Sequence, residues 1–252
     1  MIRNGGAESG SAECWSGLEN MNRGELGIRR SAGHTGEYAF CWRGQTAGIN
    51  SDWMAVDTQK AYKLTGHFRA ESGGFTGLIF GVVMADEQRR TIKRINIFSL
   101  PGTLTELAAS CHAGDRVLRV KDAAKWQTGP SFAAAFGAGA NRLTFDLAPA
   151  GITEIRKDDG NWAVVLSKPC GLDFPAGTPV AENSAGGNGI FLPGAAAAEI
   201  SGTWTACAGE IESGQWWPGT AYAQVVVTGL PLRRGADGPA LLLDDFDLRE
   251  AR

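Results

Sequence analysis

Residues 241–248 read Leu-Leu-Leu-Asp-Asp-Phe-Asp-Leu, and this stretch decides the fold prediction. Three apolar residues lead into two adjacent carboxylates, Asp244 and Asp245, and apolar and acidic residues then alternate. Such alternation is typical of a β-strand with one buried face. An ordinary surface strand needs no acidic pair beside an apolar run, so we expect a partner for these charges in residues 4–9 at the opening of the chain. The two ends are predicted to lie side by side in one β-sandwich and to share a cation.

Strong strand patterns lie in the first hundred residues and again after residue 198. The clearest covers residues 61–69, where Tyr62, Leu64 and Phe68 fall on one face and polar residues on the other. This period of two predicts a half-buried strand. Further strands are predicted at 38–42, 53–56, 77–84 and 91–98, and then at 204–211, 222–227 and 241–248.

The middle of the chain is richer in Ala, Gly and Pro, and its strand signals are weaker. Residues 116–120 and 132–136 are candidate strands, and the dipeptide Asp159-Gly160 between two apolar runs predicts a hairpin of 152–157 with 162–166. The sequence therefore predicts an all-β protein: a β-sandwich from residues 1–100 and 199–252, interrupted by a β-rich subdomain at 101–198. Two domains in series are the alternative.

Charge and hydropathy exclude some classes of partner. The net charge is −3, without the basic excess that phosphate binding needs, so we expect no nucleic-acid partner. No run of 18 apolar residues exists, so no membrane span is predicted. Residues 1–4 lead directly into turn residues without an apolar signal region. We expect that an export signal was removed or that the protein is not exported by that route.

The cysteines do not have metal-site spacing. Their number is five, none in a C-x-x-C pair, so a structural zinc site is not expected. The odd number leaves at least one free thiol. Buried free cysteines are one interpretation, and a disulfide between Cys14 and Cys41 is the other.

Several segments resemble one family. Residues 4–8 (Asn-Gly-Gly-Ala-Glu), the turn and strand at 33–38, residues 56–66 and the closing 243–248 resemble the frame of galactose-binding-like jelly-roll sandwiches. This family includes many carbohydrate-binding modules attached to secreted glycoside hydrolases. The resemblance covers roughly residues 1–100 and 199–252, and it implies a jelly-roll β-sandwich in an extracellular or cell-surface protein.

The resemblance also implies a structural calcium ion. In the family such an ion often lies between the opening Glu and the closing Asp pair. Carried over, Glu8 and Asp245 would be its side-chain ligands, with backbone oxygens from the turn at 33–37. Ca²⁺ takes several oxygen ligands in irregular geometry, and binding both chain ends would stabilise a sandwich. Alternatively, Asp244 and Asp245 face solvent at a strand edge and deter unwanted strand pairing.

Enzyme signatures are missing from the sequence. It contains no G-x-S-x-G, no H-E-x-x-H and no P-loop, and none of the three histidines has a second ligand at metal-site spacing. We therefore predict a protein that is not an enzyme.

Aromatic residues point more directly to a ligand. Sugar rings stack on Trp and Tyr, and their hydroxyls bind planar hydrogen-bonding side chains. The adjacent Trp216 and Trp217 before a turn are the main candidates, with Trp53 as a second platform and His67 and Arg69 on the polar face of their strand. The remaining strand tryptophans considered are assigned to the core: Trp42, Trp162 and Trp204.

Two functions remain open. The first is a non-catalytic carbohydrate-binding or accessory module, whose partner would be a polysaccharide or glycan. The second is a structural or adhesive subunit of an extracellular filament, surface layer or phage particle, which would assemble as a homo-oligomer through the sandwich.

Overall fold

The chain folds almost entirely into β-strands. The computed structural model describes residues 2–17, 26–43, 47–70, 75–137, 143–192, 200, 202–231 and 240–251. The all-β prediction is confirmed. In chain order the elements are β1 (Trp15–Ser16), β2 (Leu26–Arg30), β3 (Tyr38–Arg43), β4 (Ala47–Ser51), β5 (Met54–Ala55), β6 (Tyr62–Ala70), β7 (Phe75–Ala85), β8 (Thr91–Ile92), α1 (Arg94–Ile97), β9 (Thr105–Glu106), β10 (Val117–Val120), β11 (Phe132–Phe136), β12 (Ile152–Asp158), β13 (Asn161–Leu166), β14 (Pro179–Ser184), β15 (Ile190–Phe191), β16 (Thr205–Ile211), the 3-10 helix Ser213–Gln215, β17 (Tyr222–Pro231) and β18 (Ala240–Glu250).

Two compact units make up the chain. The first combines Met1–Arg90, Gly189–Trp216 and Thr220–Arg252, and the second consists of Thr91–Asn188 with Trp217–Gly219. The chain thus enters the second unit before the predicted boundary at residue 101. The other predicted boundary, between residues 198 and 199, lies outside the described residues.

The first unit is a sandwich of two antiparallel sheets. The first sheet has the order β1-β4-β17-β7-β15, with β5 also paired to β17, and the second has the order β16-β6-β18-β3-β2. Their inner faces meet through aromatic rings. The ring centres of Phe68 and Phe80 are 5.2 Å apart, and the ring centre of Phe246 lies 5.7 Å from each of them. Successive long strands alternate between the sheets, as in a jelly roll. The predicted β-sandwich is confirmed.

Strand β6 shows why the second sheet has one apolar and one polar face. Its residues alternate strictly between buried and half-exposed along all of Tyr62–Ala70. Leu64 and Phe68 are fully buried, whereas Lys63, His67 and Arg69 are half-exposed. Side chains of a strand alternate between faces, so the predicted period of two is confirmed and fixes which residues the outer surface receives.

The closing strand β18 contains a bulge. Its register with β6 shifts between Asp244 and Asp247, and Asp245 has a φ of 51°, which is unusual for a residue other than glycine. The bulge turns Phe246 into the core while Asp245 stays partly exposed. The prediction that this stretch is a core strand is confirmed, but its acidic pair lies at an irregularity.

The second unit contains two small antiparallel sheets, β10-β13-β12 and β11-β14-β9. The predicted hairpin is present as β12 and β13, and its turn residues Asp159 and Gly160 both have positive φ, 48° and 79°. Two positive φ values are the mark of a type I′ turn, which the Asp-Gly dipeptide favours. The predicted strand at 91–98 is mostly wrong, because only Thr91–Ile92 forms a strand and α1 follows after Lys93.

The cysteine prediction is also corrected. All five cysteines are free, so the predicted disulfide between Cys14 and Cys41 is wrong. Cys14 precedes β1 of the first sheet, whereas Cys41 lies on β3 of the second sheet in a cluster with Ala39 and Leu242. No helix among the described residues is long and apolar enough to cross a membrane.

Candidate functional site

The outer face of the second sheet is a row of polar side chains. Residues directly opposite each other in antiparallel strands project on the same side of a sheet. The half-exposed residues of β6 are therefore joined by their partners on the edge strand β16 and on β18, although the β18 partners of Arg69 and His67, Leu242 and Asp244, are fully buried. Two of those partners on β16 are alanines, which leave open space beside the polar row. The outer face comprises Lys63, Thr65, His67 and Arg69 on β6, Ala206, Ala208 and Glu210 on β16, and Asp247 and Arg249 on β18.

One end of the outer face is a cluster of aromatic and cationic side chains. The rings of His34 and His67 stack with centres 3.9 Å apart and planes 14° apart. The guanidinium carbon of Arg69 lies 4.9 Å from the ring centre of Trp204, and His34 meets the same indole at 5.5 Å. Burial, followed by the neighbouring His34, lowers the pKa of His67 below its ordinary value. This end therefore combines a large aromatic surface with planar hydrogen-bonding groups.

The other end of the outer face is a hydrophilic cavity of about 420 Å³. Its walls are Lys63, Glu210, Arg249, Glu250 and Ala251. The cavity has charges of both signs, so it can accept and donate hydrogen bonds. Its volume lies within the range of small-molecule sites, about 300–1,000 Å³.

Asp244 fastens the turn at residues 33–37 to the closing strand. It is fully buried, and its carboxylate accepts hydrogen bonds from the backbone N–H groups of His34, Thr35 and Asp245. Burial raises the pKa of Asp244 to about 6, although these N–H donors oppose the rise. The alternative that the whole acidic pair faces solvent is therefore wrong for Asp244.

Glu8 holds the same turn from the chain's opening segment. Its two carboxylate oxygens accept hydrogen bonds of 3.1 Å from the backbone N–H groups of Glu37 and Tyr38. Glu8 and Asp245 also meet around Gly6: a Cβ on Gly6 would lie 3.5 Å from Glu8 Cγ and 3.5 Å from Asp245 Oδ1. The two side chains predicted as metal ligands thus both border Gly6, where the oxygen nearest to such a Cβ is Asp244 Oδ1 at 2.9 Å.

The surrounding oxygens fit a calcium ion chemically. A Cβ on Gly33 would stand 2.5 Å from the carbonyl oxygen of Thr35, 2.9 Å from that of Tyr38 and 3.1 Å from that of Gly36. Three carbonyl oxygens of residues 35–38 thus lie close together, in the segment whose N–H groups bond to Glu8 and Asp244. Ca²⁺ prefers such sets of carboxylate and backbone oxygens.

The predicted tryptophan platforms lie elsewhere. Trp216 is buried, its indole N–H donates to the carbonyl oxygen of Lys60 at 3.2 Å, and its ring packs edge-on against Tyr62. Tyr62 begins β6 and Arg69 lies seven residues on, about 23 Å away at about 3.3 Å per residue. Trp216 therefore offers no free ring to a sugar beside Arg69, which corrects the prediction for this residue.

The other two tryptophan candidates are half-buried. Trp53 lies in the short connection between β4 and β5, two strands of the first sheet. Trp217 belongs to the second unit. Neither belongs to the outer face of the second sheet. Ligand contact by Trp53 and Trp217 stays a prediction.

Sequence reasoning missed two members of the cluster, Trp204 and His34. The sequence predicts Trp204 to be a core residue, but it is half-buried and packs against the edge of the apolar cluster around Ala39 and Leu242. His34 is one of the three histidines whose spacing predicts no ligand role. Trp204 and His34 come from distant parts of the chain, so no local pattern indicates that they meet. The position of Trp204 directly before a predicted strand is the only hint that the sequence offers of its place beside the sheet.

Comparisons with known proteins give distant likenesses. No protein-family model matches the chain, and no curated protein matches its sequence significantly. Among solved structures, it is similar to a family 16 carbohydrate-binding module, with 12% identity, 99% of both chains covered and a TM-score of 0.43. A family 61 carbohydrate-binding module in complex with β-1,4-galactotriose gives 12% identity, 99% and 97% coverage and a TM-score of 0.37.

A third likeness is to the enzymatically active domain of tailspike protein 4 of bacteriophage CBA120. It has 8% identity, 99% coverage of this chain but 21% of that chain, and a TM-score of 0.42. All three TM-scores lie below 0.5. The function proposed below therefore depends on the residues of this chain alone.

Proposed function

We propose that the chain is a non-catalytic carbohydrate-binding module, an accessory part of a secreted or surface protein, which binds a glycan along the outer face of the second sheet. The observation that supports this proposal is the contact of Arg69 with Trp204 at the end of the polar row, with ring centre and guanidinium carbon 4.9 Å apart. An aromatic surface beside planar donors is what a sugar ring and its hydroxyls need.

The shape of the face favours an extended ligand. Ala206 and Ala208 on the edge strand have small side chains, so a chain of sugar units can approach the polar groups of β6 from that side. Thr65 and Asp247 lie between the aromatic cluster and the cavity at the opposite end. A glycan would thus meet hydrogen-bonding groups along the whole length of β6, whereas a single sugar would use only one end.

The test is a binding measurement with matched tryptophan variants. Polysaccharides that retard the wild-type protein in affinity electrophoresis would be used for calorimetry with Trp204→Ala and Arg69→Ala. We expect at least about a tenfold loss of affinity for Trp204→Ala, equivalent to 1.4 kcal/mol. Arg69→Ala should lose less, because it removes a donor but leaves the indole.

Trp162→Ala is the control, since Trp162 is a half-buried tryptophan of the second unit that also lies beside a cation, with Lys157 Nζ 5.5 Å from its ring centre. It should bind like the wild type. Unchanged affinity in Trp204→Ala, or loss only in Trp162→Ala, would contradict the proposed face. Failure of every polysaccharide to bind would contradict the function itself.

We also propose that Glu8 and Asp245, with carbonyl oxygens of the turn at 33–37, hold a structural calcium ion. The support is the carboxylate oxygens around Gly6 and the carbonyl oxygens around Gly33 described above. A ligand that binds only the folded state stabilises it, so calcium should raise the melting temperature and EGTA should reverse the rise. A melting curve that is the same in both solutions would contradict the calcium proposal.

Self-assembly is the second candidate function. Its support is a set of large apolar side chains of the second unit that are exposed to solvent: Phe98, Leu104 and Val117. Light scattering separates the candidates, because a subunit of a filament or layer should form oligomers as its concentration rises. A monodisperse monomer at all concentrations would contradict assembly and leave glycan binding unaffected.

A further inference from the structure

A second cluster of ligand-type side chains lies at the edge of the outer face. His34 from the turn, His67 from β6 and Asp245 from the β18 bulge each offer one ligand atom, and the three atoms lie within 4.8 Å of one another. Asp245 Oδ2 is 2.7 Å from His34 Nδ1 and 3.7 Å from His67 Nδ1. Three distant parts of the chain therefore place two imidazole nitrogens and a carboxylate close to one another.

One of these atoms lacks a hydrogen-bond partner. His67 Nδ1 is buried, and within the described part of the chain it makes no hydrogen bond. Its 3.7 Å separation from Asp245 is too long for one. A buried polar atom without a partner costs free energy, so such atoms are rare and call for an explanation such as an absent ion.

The backbone holds Asp245 in this position. Its φ of 51° and the register shift of β18 place its carboxylate beside the two rings, where Thr35 Oγ1 also donates to it. The rings of His34 and His67 are stacked nearly parallel, so one ring has to turn before both nitrogens can bind the same ion. A carboxylate that is already held in place loses less conformational entropy when it binds an ion.

We propose that His34, His67 and Asp245 form a binding site for one divalent transition-metal ion of the zinc class, held by the two Nδ1 atoms and a carboxylate oxygen. With bonds of about 2.0–2.1 Å, tetrahedral ligands stand about 3.3 Å apart. The observed 2.7 and 3.7 Å separations bracket this value. The three side chains are about one quarter to one third exposed, so a water molecule can complete the coordination.

The nitrogen ligands distinguish this ion from calcium. Zinc and its neighbours bind imidazole readily, whereas Ca²⁺ takes oxygen ligands. Asp245 belongs to both proposed sets, but Glu8 and the carbonyl oxygens of the turn serve only calcium. The zinc proposal does not depend on glycan binding. It differs from the calcium proposal in the ion and in the ligands other than Asp245.

The experiment titrates the chelator-stripped protein with Zn²⁺ in competition with a chromophoric chelator, in the presence of millimolar Ca²⁺. We expect one equivalent of bound zinc. His67→Gln and His34→Ala should each weaken zinc binding at least about tenfold, as loss of even a supporting group does at metal sites. Circular dichroism and melting curves of each variant show that it has folded.

His112→Ala is the matched control. His112 also lies near a carboxylate, with Nδ1 3.6 Å from Asp173, but it has no second histidine beside it among the described residues. This variant should bind zinc like the wild type. Absence of zinc binding, equal binding by the folded His34 and His67 variants, loss in His112→Ala, or displacement of the zinc by calcium would each overturn the proposal.

Discussion

Two fully buried carboxylates, one in each unit, are held in opposite ways. Asp244 on β18 accepts hydrogen bonds from three backbone N–H groups. Glu182 on β14 accepts one, from Gln127, and its Oε2 has no hydrogen-bond partner in the described part of the chain. Burial raises the pKa of both groups, to about 6 for Asp244 and about 7 for Glu182.

The difference teaches what each group contributes. The N–H groups of His34 and Thr35 need the oxygens of Asp244, because they belong to a turn that offers them no other acceptor among the described residues. A buried acceptor that completes a turn stabilises the fold even though its charge is costly. Glu182 is buried with a single hydrogen-bond donor, so its charged form destabilises the second unit.

Removal of Asp244 should have the largest effect on stability. Asp244→Ala removes the charged acceptor of three part-buried backbone N–H groups, and a hydrogen bond to a charged group contributes about 1.5–3 kcal/mol, so we expect a loss of at least about 3 kcal/mol in the free energy of unfolding. Urea unfolding followed by circular dichroism measures it. Asp247→Ala on the same strand is the control, because Asp247 is half-exposed and forms an ion pair with the exposed Arg249. Equal losses in the two variants would refute the role of Asp244.

Replacement of Glu182 should have the opposite sign and depend on pH. The folded pKa of about 7 exceeds the ordinary value of 4.5, so the folded state binds the proton more tightly than the unfolded state. Below pH 4.5 the carboxyl group is protonated in both the folded and the unfolded state, so folding does not bury a charge. Stability is then lost as the pH rises towards 7 and above. Glu182→Gln should therefore be more stable than the wild type at pH 8, by on the order of 2–3 kcal/mol.

The measurement for Glu182 is the difference in unfolding free energy between variant and wild type at pH 4.5 and pH 8. The amide oxygen of Gln can still accept from Gln127, so the hydrogen bond is kept while the charge is removed. Glu154→Gln on an exposed part of β12 should show no such pH dependence. If Glu182→Gln has the same advantage at both pH values, its charge is not the cause.

Local patterns predicted the strands but not the polar interior. The alternation of β6 and the Asp-Gly turn of β12 and β13 depend on neighbouring residues, so both were read correctly from the sequence. The predicted strand at 91–98 failed because the side chain of Asn96 caps a short helix there through Lys93 N–H and also donates to Thr144, 48 residues away. Such long-range contacts override local propensity.

The candidate site divides in the same way. His67 and Arg69 were predicted together because residues two apart on a strand share a face. Trp204 and His34 join them only through strand pairing and the turn at 33–37, which no spacing in the sequence reveals. The burial of Glu182 was equally hidden, because the residues of β14, Pro-Val-Ala-Glu-Asn-Ser, have the polarity of an exposed strand.

Replacement of Glu8 should have the smallest effect on the free energy of unfolding. It tests whether burial, rather than the number of hydrogen bonds, makes a carboxylate important for stability. It supports the same turn as Asp244 through two backbone hydrogen bonds, but it is exposed, so water can replace it in Glu8→Ala. We expect a loss of about 0.5–1 kcal/mol in EGTA, well below that of Asp244→Ala. In calcium the loss should grow, because the variant also loses a metal ligand. If the loss is the same in EGTA and in calcium, Glu8 supports the turn but does not bind the ion. If the loss in EGTA equals that of Asp244→Ala, burial does not cause the difference between the two carboxylates.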